Sequence, residues 1–180
     1  MVTALRHQLT EMTETAPVHE HPARIEALRP EHGHTIVVVE SDFPIERYTC
    51  GVHAFYLIED PTYVKIADCG LGRTFAGREF ISFLLQNKLL SPRQSPTIVG
   101  DLIVYFDGGT FQHVGRMKTD TRVVSKWGKG WLYEHGVWEV PSHYGQEIQY
   151  FVGPNEDASY ELFIRYAESK GFQFEKSPRA

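Results

Sequence analysis

Two side chains of this chain have the chemistry to make and break acyl bonds together. One is Cys50, in Arg47-Tyr48-Thr49-Cys50-Gly51-Val52; the other is His113, which interrupts the apolar run Phe111-Gln112-His113-Val114-Gly115-Arg116-Met117. A thiol in the first turn of a helix meets unpaired N–H groups and the positive end of the helix dipole, and both favour the thiolate. An imidazole on a rigid strand facing that turn is the base such a nucleophile uses. Taken singly, each residue has a plainer reading. A cysteine is more often a small buried hydrophobe, and one histidine among nine is more often a surface or satisfied core group. Cys69, in Asp68-Cys69-Gly70-Leu71, competes as nucleophile, but it stands too close to Gly100-Asp101 to leave room for a helix and a crossing loop.

These residues need elements to hold them. Thr49 can cap a helix in which Val52, Phe55, Tyr56 and Ile58 recur at near-helical spacing, until Pro61 forbids continuation. A second helix is expected over Phe75 to Leu85, ended by Ser91-Pro92. A strand is expected earlier, at His34 to Glu40. From Thr97 the period changes. Ile98-Val99, Gly100 to Phe106, a Gly108-Gly109 turn, Phe111 to Met117 and Thr121 to Trp127 read as a meander of strands, with weaker strands at Trp131 to Val140 and Gln149 to Val152. Ser159 to Ser169 reads as a closing helix stopped by Gly171. Helices first and antiparallel strands after give an α+β layered fold. Residues 1–32 mix Glu, His, Thr and Pro and are expected to form an N-terminal extension that packs loosely, ahead of one domain over 33–180.

Composition excludes several functions. Lys+Arg 18 against Asp+Glu 23, a net charge of -5, gives no basic field for a nucleic-acid backbone. No segment is long and apolar enough for a secretory signal or a membrane span, so synthesis in the cytoplasm is expected, with delivery elsewhere left to a machine that reads no N-terminal peptide. Neither the His and Cys spacings nor Gly70 and Gly72 form a metal or phosphate motif. No cofactor is expected, and pairs such as His19 and His21 are not called a site. Cys50 and Cys69 are expected to stay reduced.

The order of the motifs, TCGVHAF, then GDLIVYF some fifty residues on, then QHVGRM, resembles the NlpC-type papain-like cysteine peptidases and amidases over about Tyr48 to Gly128. The usual Asp-Cys-Ser is Thr-Cys-Gly here. The resemblance implies a papain-like fold, N-terminal helices packed on a mostly antiparallel sheet with a C-terminal helix, and a hydrolase of amide or isopeptide bonds. Cys50 would be its nucleophile and His113 its base, then its acid. The Cys50 N–H would meet the oxyanion, helped by the Tyr48 hydroxyl. The family orients the imidazole from the following strand. A tight hairpin around Lys118 to Asp120 would set Ser125 or Lys126 opposite His113; Ser125 is preferred because lysine cannot accept a hydrogen bond, and His135 is the alternative. The implied partners are a peptide or peptidoglycan-derived substrate and an inhibitor or immunity protein. The implied setting is a cell-wall enzyme or an effector delivered by a secretion system. Deamidation and acyl transfer are further chemistries of the fold, although the related lipid acyltransferases place their His before the Cys. A different class also fits. The aromatic-rich segment Ser125 to Gly145 would suit a peptide-binding module in which the dyad is unused, or edge-strand packing.

Overall fold

The alternating residues after Gly100 fold into a meander. β3 (Leu102–Asp107), β4 (Thr110–Met117), β5 (Arg122–Lys126) and β6 (Leu132–Gly136) each pair antiparallel with the next. The computed structural model describes residues 2–68, 76–94 and 98–173. Among these, β1 (Val37–Val39), β2 (Pro92–Arg93) and β7 (Glu147–Phe151) complete one antiparallel sheet in the order β1-β6-β5-β4-β3-β7-β2. Gly108 and Gly109, at φ 52° and 74°, make the two-residue turn from β3 to β4, a left-handed pair that side chains with a Cβ resist.

Alternation sorts the strand residues onto two faces. Leu102, Val104, Phe111 and Val114 pack against α3 (Cys50–Ala54), α4 (Pro61–Asp68), α5 (Arg78–Gln86) and α6 (Glu156–Ser169), meeting Val52, Phe55, Tyr63, Phe80, Leu84, Phe163 and Tyr166. Ile103, Tyr105, Met117, Val123 and Tyr133 point the other way, onto Leu5, Leu9 and Met12 of α1 (Val2–Thr15) and Ile25 of α2 (His21–His32). The architecture is therefore α+β, with helices on both faces of the sheet and a C-terminal helix.

The N-terminal residues are not a loose arm. Leu5, Leu9 and Met12 recur at i, i+4 and i+7, the spacing of one helical face, and all three are buried. Arg6, also buried, donates from Nε to the Val140 carbonyl at 3.2 Å and from its Nη2 to that of Gly145. Each fully buried Leu or Met contributes about 1.5–3 kcal/mol, enough to make this layer part of the folded unit.

Local chemistry moves several boundaries. α3 ends at Ala54, short of Ile58, because Tyr56 takes a left-handed conformation (φ 55°). Pro61 opens a helix instead of closing one. It is the first residue of α4, where a missing N–H costs nothing, and Asp60 accepts from the amides of Thr62 and Tyr63, each at 2.9 Å. Ile98 and Val99 are exposed in a turn closed by Ile98 N–H to Asp101 Oδ2, not in a strand. α6 begins earlier than Ser159, at Glu156, because Asn155 Oδ1 accepts from Ala158 N–H at 2.9 Å. Among the described residues, no helix is long and apolar enough to cross a membrane.

Candidate active site

Cys50 is the first residue of α3. Thr49, extended at φ -105° and ψ 177°, accepts from the Val52 amide at 3.3 Å and donates to the Ala76 carbonyl at 3.0 Å. Gly51 lets the helix sit close, since a Cβ there would lie 2.7 Å from the Ala76 oxygen. At the other end, Arg116 Nε donates to the Ala54 carbonyl at 2.6 Å. α3 has five residues, so the sulfur responds to individual peptide groups rather than to a long dipole.

Cys50 keeps part of its surface open to solvent. The protein around the sulfur nevertheless desolvates it and pushes the thiol up from its ordinary value. The peptide groups of Val114, Gly51 and Cys50 itself, and the charge of Lys126, pull the other way. The ladder pairs joining β4 to β5 are Arg116–Val124 and Met117–Val123; at Val114, beyond them, the peptide group faces the sulfur. α3 thus meets β4 one residue past His113.

His113 itself points to the opposite face. It is level with Tyr105 of β3 and stacks on Tyr144, with ring centroids 3.9 Å apart and planes 9° from parallel. Tyr144 is carried by a 3-10 turn, Ser142–Tyr144, which α1 holds through Arg6 and through Thr10, hydrogen-bonded to Ser142 at 2.9 Å. His113 is buried, its Nε2 has no hydrogen-bond partner, and desolvation followed by its histidine neighbours pushes it well below the ordinary imidazole value. It rests neutral. The Tyr144 phenol, raised mainly by burial, also feels the charge of Cys50, so the stacked tyrosine lies near both reactive groups.

The structure brings Cys50 and His113 to the two sides of one peptide of β4, with no hydrogen bond between them. Ser125 is not the orienting group. Its Oγ is 2.8 Å from His135 Nε2 and accepts from Trp127 Nε1 at 3.1 Å. The reason is register. Lys118 N–H bonds to the Arg122 carbonyl, so the hairpin closes one pair further on than a turn at Lys118 to Asp120 would allow. Continued along the strands, that pairing sets Ser125 level with Gly115 and Trp127 level with His113. His135 is spent on Ser125 and on the Gly136 carbonyl, 2.8 Å from Nδ1. Lys126 faces α3, away from His113. Tyr48 is buried and donates its hydroxyl to Ser41 Oγ at 2.9 Å, so that hydroxyl is not a free oxyanion donor. Cys69, Gly70 and Gly72 lie outside the described residues.

Two residues with a part here were not singled out from the sequence for the part they take. Tyr144 gave no signal, because its stacking depends on a loop some thirty residues from His113. Lys126 was legible only as an odd lysine in the strand Val123-Val124-Ser125-Lys126-Trp127, weighed as a partner for His113 and not for Cys50. Compared with family models, with curated proteins and with solved structures, the chain matches none. Its reading rests on these residues.

Proposed function

We propose that this chain is a thiol-dependent hydrolase of amide or isopeptide bonds, with a papain-like, NlpC-type fold, Cys50 as nucleophile and His113 as base. The observation that carries the reading is the sulfur at the start of α3 lying against the peptide of Val114, the residue bonded to His113. In the reaction the Cys50 thiolate adds to the carbonyl and the Cys50 amide receives the oxyanion. His113 takes the proton of the Cys50 thiol as the sulfur adds and passes it to the leaving amine; water, giving a proton to His113, then resolves the thioester, and that proton returns to Cys50. The imidazole must first leave Tyr144, so movement of the Ser142–Tyr144 turn accompanies substrate entry. Peptide cross-links of the bacterial cell wall are the substrate class that goes with the motif resemblance, together with delivery by a secretion system and an inhibitor or immunity protein.

The test is hydrolysis of peptidoglycan fragments and of peptide amides, followed by the appearance of new amines. Wild-type turnover that falls on the order of a thousandfold in both Cys50→Ala and His113→Ala is the expected result. Turnover that survives Cys50→Ala overturns the reading.

One observation favours a second reading. The thiol and the imidazole are both desolvated and unjoined, while a cavity of about 690 Å³ lined by Val18, Phe43, Ile45, Glu46 and Trp131 opens in the loop that leads to Cys50. A catalytically silent module would hold a peptide there. Peptide binding equal in wild type and Cys50→Ala, without turnover in either, is its signature.

A further inference from the structure

Lys126 is a buried cation of this region that the dyad leaves unused. It is wholly buried, and its Nζ donates to the carbonyls of Gly128 at 3.1 Å and Gly130 at 2.5 Å. Both carbonyls belong to the turn from β5 to β6, which Gly130 N–H closes onto the Trp127 carbonyl at 2.7 Å. Among the described residues no carboxylate forms an ion pair with Lys126. An ammonium taken out of water and held by neutral oxygens alone is costly, unless an anion shares the site.

The groups around it come from four elements. The Tyr48 ring lies 5.2 Å from Nζ, and Glu46, exposed on the loop before α3, contributes a distant negative charge. His53 of α3 is pushed down to about 4 by burial and then by the cations of Arg116 on β4 and Lys126 on β5. The remaining acidic groups are the Tyr144 phenol, near the sulfur, and Cys50 itself. Lys126 projects from β5 on the face that Val114 presents from β4, and α3 packs on both strands. Burial acts most strongly on both groups, raising the Cys50 thiol and lowering Lys126 to about 8; against it, the Lys126 charge favours the Cys50 thiolate and the sulfur favours the ammonium.

We infer that Lys126 is the fixed counter-ion of the Cys50 thiolate, so that an ammonium on β5 activates the nucleophile. His113 on β4, neutral at rest, takes the proton that the thiol gives up and passes it to the leaving group. The catalytic meaning of this pairing rests on the hydrolase reading, but the pairing itself is measured without turnover.

The experiment is the pH profile of iodoacetamide labelling at Cys50, resolved by mass mapping, in wild type, Lys126→Met and Lys126→Arg. Lys126→Met keeps the apolar stem and should move the midpoint up by about one to three pH units, with at least about tenfold slower labelling near neutral pH. Lys126→Arg should restore the wild-type profile. Superimposed profiles for wild type and Lys126→Met, with unchanged thermal unfolding, overturn the proposal. If the lysine variants do not fold, Cys50→Ser reads the same coupling from the other side. The Lys126 titration, followed by NMR of isotope-labelled lysine, should then move to lower pH, and an unmoved titration overturns the proposal. A shifted labelling profile without amide turnover stands for the pairing and against the hydrolase; turnover with superimposed profiles does the reverse.

Discussion

On the α3 side of the sheet, Arg116 and Lys126 are buried, which lowers both from their ordinary values, and their protons are directed at backbone carbonyls. Arg116 reaches Ala54, Gly100 and Pro154 at 2.6, 2.7 and 2.5 Å, and Lys126 reaches Gly128 and Gly130. On the other side, His113 and His135 are buried without charge, one stacked on Tyr144 and the other bonded to Ser125. The same β4 and β5 serve both faces, so the contrast comes from what covers them. Carbonyls that can solvate a cation surround Arg116 and Lys126 on the first face, and on the second they are taken by Arg6 of α1; His113 itself meets aromatic rings, which cannot solvate a charge. A thiol on the first face therefore sits among positive charge, while the buried imidazoles, His53 on the first face and His113 and His135 on the second, give their protons up.

The largest effect expected on this contrast comes from the charged face. Arg116→Ala leaves three carbonyls without their donor and should cost about 3–5 kcal/mol of unfolding free energy, read from urea denaturation. A loss below about 1 kcal/mol would mean that the carbonyls find other donors and that the face is not organised by its cations.

The neutral face is tested by acid. Burial holds His135 down at about 4 in the folded chain, against an ordinary 6.5. Between those values the unfolded chain binds the extra proton, so stability falls as pH drops from 6.5 toward 4 and levels off below. For His135 this amounts to about 3 kcal/mol. His113 adds a loss of the same sign, and so does His53 on the α3 side, which burial holds at about 4. Unfolding free energy measured against pH should lose part of this slope in His135→Gln. An unchanged slope would place the acid sensitivity elsewhere.

The smallest effect sharpens the separation of the faces. Ser125→Ala removes the partner of His135 Nε2 and of Trp127 Nε1 and should cost about 1–2 kcal/mol. Labelling at Cys50 should not change. A shift in its pH profile would show that the faces are coupled through β5.

Much of the fold was legible in the order of the residues. The alternation from Gly100 to Trp127, the paired glycines at 108 and 109 and the threonine before Cys50 each encode a local geometry, and the strands, turn and cap occur there. Leu5, Leu9 and Met12 carried an equally clear helical stripe in a segment expected to be loose. Composition hid it, because the polar residues between them dominate the average. Pro61 was ambiguous by nature, since the same ring that ends one helix starts another.

The sequence by itself determined which elements form, because hydrophobic period, turn residues and caps act within a few residues of one another. It also marked Cys50 as a helix-start thiol and His113 as a strand imidazole. The tertiary structure decided what those groups meet. One pair more in the β4–β5 hairpin set Ser125 level with Gly115, the pleat turned His113 toward Tyr144, and the turn after β5 wrapped its carbonyls around Lys126. Register and facing depend on contacts between residues far apart in the chain, and a shift of one residue exchanges one side of a sheet for the other.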